Sequence, residues 1–210
     1  MAVFGPDGIG KSAVIEALPQ HLGAAFAGYC NHHFRPRFGR RASDTTQVMA
    51  PHAQTPRSYV TTFCKLVYWL LDCWIGYLSS IRPAARRSRL VIFDRYLPDI
   101  LVDPVRYRLP ASAMNVAELF VKLAPKPDVY VLLDAPAEIV QRRKCEVSVS
   151  ESRRQRAAYR ILFQSFPSSV ILDADCPVDE VTRNLASAIS GFVRHSPKAK
   201  AVVLAKSEAD

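Results

Sequence analysis

One run of eight residues, Gly5-Pro6-Asp7-Gly8-Ile9-Gly10-Lys11-Ser12, constrains the fold of this chain more than any other feature. It follows the apolar run Ala2-Val3-Phe4 and opens a stretch, Lys11 to Leu22, that places Ala13, Val14, Ala17 and Leu18 on one side of a helix. Glycines at such spacing let successive backbone N–H groups turn inward without a side chain intervening, and the helix that follows presents its positive end to the same point. A strand before and a helix after are the setting in which G-x-x-x-x-G-K-S acts as a phosphate-binding loop. In that setting Gly5, Asp7, Gly8, Ile9, Gly10, Lys11 and Ser12 hold the phosphates of ATP. Lys11 reaches the β- and γ-phosphates and Ser12 offers its hydroxyl to Mg²⁺.

The first strand is short, with only Met1 to Phe4 before Gly5, where a central strand has about 5–6 residues. A clipped or misassigned start is therefore expected. Pro19 predicts that the first helix kinks or ends early.

Further along, Leu90–Phe93, Val129–Leu133 and Ser169–Leu172 read as short buried strands. Helix patterns cover about 58–81, 111–123, 137–143, 151–163 and 177–193. Pro83 lies just beyond the first of these helices, and residues 34–57, with Pro36, Pro51 and Pro56 and four arginines between Arg35 and Arg41, read as a long mobile loop. Strands alternating with helices predict an α/β fold of three layers, with a central parallel sheet and helices on both faces. Ligands of such sheets bind at the carboxyl ends of the strands, where the loop after Phe4, Asp94-Arg95 and Asp134 all fall.

Composition narrows the partners. The 210 residues carry a net charge of +9, which favours anionic ligands without choosing among them. Basic residues are spread over several segments with no nucleic-acid module beside them, which argues against nucleic acid. The five cysteines, Cys30, Cys64, Cys73, Cys145 and Cys176, are scattered and odd in number, which argues against a disulfide framework and for a reducing compartment, the cytoplasm. No signal peptide is expected. The aromatic stretch Tyr59–Ile81 contains Lys65 and Asp72, each costing about 2.5–3.5 kcal/mol at the centre of a membrane-spanning helix, so a buried or interface helix is expected in place of a span. Its apolar surplus predicts pairing with a second copy, a homodimer. Cys30-Asn31-His32-His33 lacks a second cluster at metal spacing, and no G-x-S-x-G elbow is present.

Two further signals carry chemistry. Asp94 and Arg95 end an apolar strand, where a carboxylate can orient Mg²⁺ through water and an arginine can hold an acceptor phosphate with two parallel hydrogen bonds. Arg142, Arg143 and Lys144 precede a polar break, and Arg153, Arg154 and Arg156 follow it. An arginine brought in from such a segment can stabilise the charge that phosphoryl transfer spreads over the equatorial oxygens.

Taken together, G-P-D-G-I-G-K-S at 5–12, F-D-R-Y at 93–96, P-D-V-Y-V-L-L-D-A-P at 127–136 and the basic stretch at 142–156 resemble the thymidylate kinase family of nucleoside monophosphate kinases, in the same order over about 190 residues. The resemblance implies one P-loop kinase domain over 1–195, a lid at about 142–156 and a flexible tail over 196–210. It implies transfer of the ATP γ-phosphate to a nucleoside monophosphate such as dTMP. Asp7 would approach the acceptor sugar, and Asp94 and Arg95 would contact the acceptor phosphate and metal. The phosphate loop has no arginine of its own, so a catalytic one would come from Arg142, Arg143 or Arg153. The family's second strand commonly ends in Arg-Glu-Pro, where the nearest match here is Phe34-Arg35-Pro36 without the glutamate. Two other readings stay open: a kinase for a sugar or lipid-linked acceptor, and a nucleotide-binding interaction module without catalysis.

Overall fold

The computed structural model describes residues 1–36, 55–143 and 148–195. Among them, five strands form one all-parallel sheet: β1 (Ala2–Phe4), β2 (Gly28–His33), β3 (Arg89–Asp94), β4 (Tyr130–Asp134) and β5 (Ser169–Asp173). Their order is β2-β3-β1-β4-β5. The helices are α1 (Lys11–Leu22), α2 (Tyr59–Gly76), α3 (Arg82–Arg86), α4 (Asp99–Val102), α5 (Met114–Leu123), α6 (Ala137–Arg143), α7 (Val149–Gln164) and α8 (Val178–His195).

Successive residues of a strand point to opposite faces, and the core divides accordingly. Phe4, Val91, Phe93, Tyr130 and Leu132 pack against Leu66 and Trp69 of α2, Phe120 of α5, and Tyr159 and Phe163 of α7. Val3, Ile92, Val131 and Leu133 pack on the other face against Leu18 and Leu22 of α1 and Leu185 and Ile189 of α8. Both faces are covered, so the inner strands read as unbroken apolar runs. The α/β three-layer architecture expected from the sequence is the one found.

The chain departs from its sequence pattern in three places. The strand β2, Gly-Tyr-Cys-Asn-His-His, lies at the sheet edge with half-exposed residues, and its polar content leaves no alternation to read. Helix α1 runs through Pro19 to Leu22, because Leu18 and Leu22 on either side of the proline are both buried in the core. Beyond α2 the chain continues through one π turn, Tyr77–Ile81, into α3, and Pro83 falls in the first turn of α3, where a missing N–H costs little. Gly76 permits the close approach of this helix to the end of β2, since a Cβ there would lie 2.2 Å from the Cβ of Pro36.

Residues 37–54 of the expected mobile loop, residues 144–147 of the expected lid and the expected tail 196–210 lie outside the described residues. The near side of that loop is built: Phe34 is buried, edge-on to Trp69 and stacked on Tyr107.

No helix among the described residues is long and apolar enough to cross a membrane. Helix α2 packs on the sheet through Leu66, Trp69 and Cys73, while Val60, Phe63, Leu71, Trp74, Ile75 and Leu78 stay exposed.

Candidate active site

The strand β1 lies between β3 and β4, so the chain departs to opposite sides of it and leaves a crevice at the carboxyl ends. The loop Gly5–Ser12 fills this switch point. A Cβ on Gly5 would meet the Leu133 carbonyl oxygen at 2.8 Å, and Gly10 takes φ 100°, a left-handed value, at the entry to α1. Lys11 folds back over the loop. Its Nζ donates to the carbonyl oxygens of Gly5 at 2.9 Å and Pro6 at 2.8 Å. Burial, and then the charge of Arg95, push the Lys11 ammonium down to about 7. Ser12, next along, is exposed toward solvent.

Asp94 and Arg95 leave the end of β3 beside this loop. Arg95 adopts φ 66°, which is uncommon for a residue with a side chain, and its N–H is fixed to the Val3 carbonyl at 2.9 Å. The guanidinium is buried. Its Nη1 donates to both carboxylate oxygens of Asp99 at 3.0 Å and to the Tyr159 hydroxyl at 2.9 Å, and its Nη2 donates to Asp7 Oδ1 at 2.5 Å. Tyr107 and Tyr159 also donate to Asp99, at 2.7 and 2.5 Å. Asp7 Oδ2 takes a further bond from Arg106. Burial by itself would raise the Asp7 carboxyl, but Arg95, Lys11 and Arg106 together hold it well below the usual carboxylate range.

Asp94 is arranged differently. Its Oδ2 lies 3.7 Å from His33 Nδ1, while its Oδ1 is buried with no hydrogen-bond partner among the described residues. Burial would raise this carboxyl; His33, Lys11 and Arg95 hold it below its ordinary value. A buried anionic oxygen left open beside a phosphate loop suits a hydrated Mg²⁺, which commonly takes one or two protein oxygens and keeps several waters. Ser12 and Asp94 are the residues that fit it. Among the described residues, no group of three or more His, Cys, Asp or Glu side chains could hold a metal by itself.

The predicted lid arginines have unequal surroundings. Arg143, at the end of α6, donates to the carbonyls of Ala174 at 2.8 Å and Ile9 at 3.4 Å, so it touches the phosphate loop directly. Arg142 is exposed. Arg153 pairs with Glu138 at 2.5 Å on the surface, with two thirds of its side chain exposed. Helix α7 begins earlier than its pattern indicates, at Val149, because Ser148 caps it by accepting from the Glu151 N–H at 3.2 Å. Arg156 from α7 clasps Asp134 at 2.7 and 2.9 Å.

Four members of the central network were not singled out from the sequence: Asp99, Arg106, Tyr107 and Tyr159. The available signal for Asp99 was its spacing of four residues from Arg95, but the pair forms through the left-handed turn at Arg95, which lies before α4 begins at Asp99. Arg106 and Tyr159 come from distant segments and carry no local signature.

No family model matches the chain. A probable thymidylate kinase of Archaeoglobus fulgidus is 26% identical over 205 residues, which is 92% of this chain and 95% of that protein. The chain is a divergent relative of the thymidylate kinases. A thymidylate kinase of Xanthomonas campestris is 30% identical over 111 residues, and a probable thymidylate kinase of Pyrococcus abyssi is 30% identical over 117. These two matches span about half of each relative, 48% and 56% of their lengths. Kinship with the thymidylate kinases across nearly the whole chain, joined to the loop at the switch point, makes this protein a P-loop phosphotransferase.

Proposed function

We propose that the protein transfers the γ-phosphate of ATP to the phosphate of a nucleoside monophosphate, and that dTMP is the first acceptor to test. The observation that carries this reading is the buried Arg95, set beside Arg106 and facing the phosphate loop across Asp7. Two arginines fixed within one network can grip an acceptor phosphate with several charge-assisted hydrogen bonds. Without acceptor, Asp7 neutralises both. An arriving phosphate takes over that task, and Asp7 is released toward the acceptor sugar.

On the donor side, the loop N–H groups and the start of α1 receive the ATP phosphates. Lys11 leaves the Gly5 and Pro6 carbonyls to meet the β- and γ-phosphates. Mg²⁺, held through Ser12 and Asp94, would neutralise charge on the transferring phosphate. Arg143 is the lid arginine best set to approach the same oxygens, since it already reaches the loop at Ile9. The direct test is label transfer from γ-labelled ATP to dTMP, which should yield a labelled nucleoside diphosphate.

The exposed apolar stripe of α2 pairs, in this reading, with the same stripe of a second copy. Residues 60, 63, 71, 74 and 75 of α2, and Leu78 in the π turn that follows it, lie along one side and are not covered by the sheet.

A further inference from the structure

Helix α7 turns Ser152, Gln155, Tyr159 and Phe163 into the protein, each 5% exposed or less, and three of the four carry a polar group. A buried amide or hydroxyl costs free energy unless a hydrogen bond replaces its water, and leucine or methionine would pack without that cost. Gln155 and Tyr159, one turn apart on the same face, spend their polar groups on the residues that hold the two acceptor arginines.

The Tyr159 hydroxyl donates to Asp99 Oδ1 at 2.5 Å, and both oxygens of Asp99 accept from Nη1 of Arg95 at 3.0 Å. That Nη1 also donates to the Tyr159 oxygen at 2.9 Å. The Gln155 amide donates to Asp103 Oδ2 at 3.1 Å and, within the helix, to Glu151 Oε1 at 3.2 Å. Asp103 Oδ1 accepts from the backbone N–H of Arg106, again at 3.1 Å. Asp99 opens the short helix α4 and Asp103 caps its end, and both are buried. Each carboxylate is thus held on one side by α7 and holds an arginine on the other. The two arginines then converge on Asp7, Arg95 through Nη2 and Arg106 through Nη1. Because they share one carboxylate, their donors already stand at the spacing of one anionic group.

We infer that Gln155 and Tyr159 are positioning residues for the acceptor phosphate: acting through Asp103 and Asp99, they fix Arg106 and Arg95 at the spacing one anion requires. The inference rests on the phosphotransfer reading for the identity of that anion and extends it to a helix that does not touch the ligand.

Gln155→Met and Tyr159→Phe keep most of each side chain and remove its hydrogen bonds. In nuclear magnetic resonance spectra of the full chain without ligand, the Arg106 amide should exchange with solvent about tenfold faster in Gln155→Met, and rotation of the Arg95 guanidinium should quicken about tenfold in Tyr159→Phe. In turnover, each variant should raise the acceptor KM about fivefold or more, with the ATP KM unchanged and kcat within about threefold. In an Arg106→Ala background, Gln155→Met should add about twofold or less to the acceptor KM, because its effect passes through Arg106, whereas Tyr159→Phe, acting through Arg95, should add its full factor. A helix that only packs predicts equal shifts in both KM values, or the same factor for Gln155→Met with and without Arg106. Either result overturns the inference, as does unchanged amide exchange in Gln155→Met or unchanged guanidinium rotation in Tyr159→Phe. The two positions are read separately, so one folded variant decides if the other does not fold. The spectra need no acceptor. A wild-type protein that phosphorylates none refutes the phosphotransfer reading, while the spectra still decide whether α7 positions the arginines.

Discussion

Arg95 and Asp7 meet at 2.5 Å across the mouth of the site, the first from the end of β3 and the second from inside the phosphate loop. Arg95 has a second, structural duty that Arg106 does not share. It is the cationic partner of Asp99, which is wholly buried, whereas Arg106 is nearly a quarter exposed. Removing one partner of a buried pair leaves an uncompensated charge at a cost of about 3–5 kcal/mol. Arg95→Ala should lower unfolding stability by about that amount in a denaturant titration. Arg106→Ala should cost about 1 kcal/mol or less and act instead by raising the acceptor KM about tenfold or more, with the ATP KM unchanged. Equal stability losses in the two variants would contradict the division.

Lys11 gives a pH signature. With its ammonium at about 7 in the free protein, it is mostly neutral above that pH and charged below it. Phosphates favour the charged form, so binding raises this value. Mg²⁺-ATP binding should therefore take up close to one proton at pH 8 and almost none near pH 6. Calorimetry in buffers of different ionisation enthalpy measures the uptake. It should vanish in Lys11→Met under conditions where the variant still binds nucleotide.

Among the lid residues the effects should be unequal. Arg143 touches the loop at Ile9, whereas Arg153 lies on Glu138 at the surface. Arg143→Ala should lower kcat by about 10³-fold, on the scale of an arginine finger, and Arg153→Ala by about threefold or less. Similar mild losses at both positions would reduce the arginines to general attraction for anions.

The legible part of the molecule was the part whose function and local geometry coincide. The phosphate loop needs its glycines wherever it occurs, and β3 and β4 are buried on both sides, so each leaves a plain mark in the sequence. The edge strand β2 had no such mark, because Asn31, His32 and His33 give no apolar period. The network around Arg95 was half legible. Asp7, Asp94 and Arg95 lie in recognisable runs, but Arg106 and Tyr159 reach the site only through the packing of α4 and α7 on the sheet. Ser148, three positions before the helix start expected at about 151, set the true beginning of α7 through a cap that apolar periodicity does not register.

The uncovered stripe on α2 predicts self-association. Sedimentation should detect a dimer at micromolar concentration, and Leu71→Glu, at a position already 56% exposed, should shift it to monomer without loss of stability. A strict monomer at high concentration would show that the stripe serves another purpose.

The central claim is that Lys11, the phosphate loop and the Arg95 network act together to move a phosphoryl group onto a phosphate-bearing acceptor. It is tested most directly by ADP formation from Mg²⁺-ATP, measured with and without a panel of nucleoside monophosphates that includes dTMP. The account predicts acceptor-dependent ADP formation, with one diphosphate product per ADP, falling by about 10³-fold or more in a folded Lys11→Ala variant. Folded protein that binds ATP but forms no diphosphate with any acceptor, or turnover undiminished in Lys11→Ala, would contradict it.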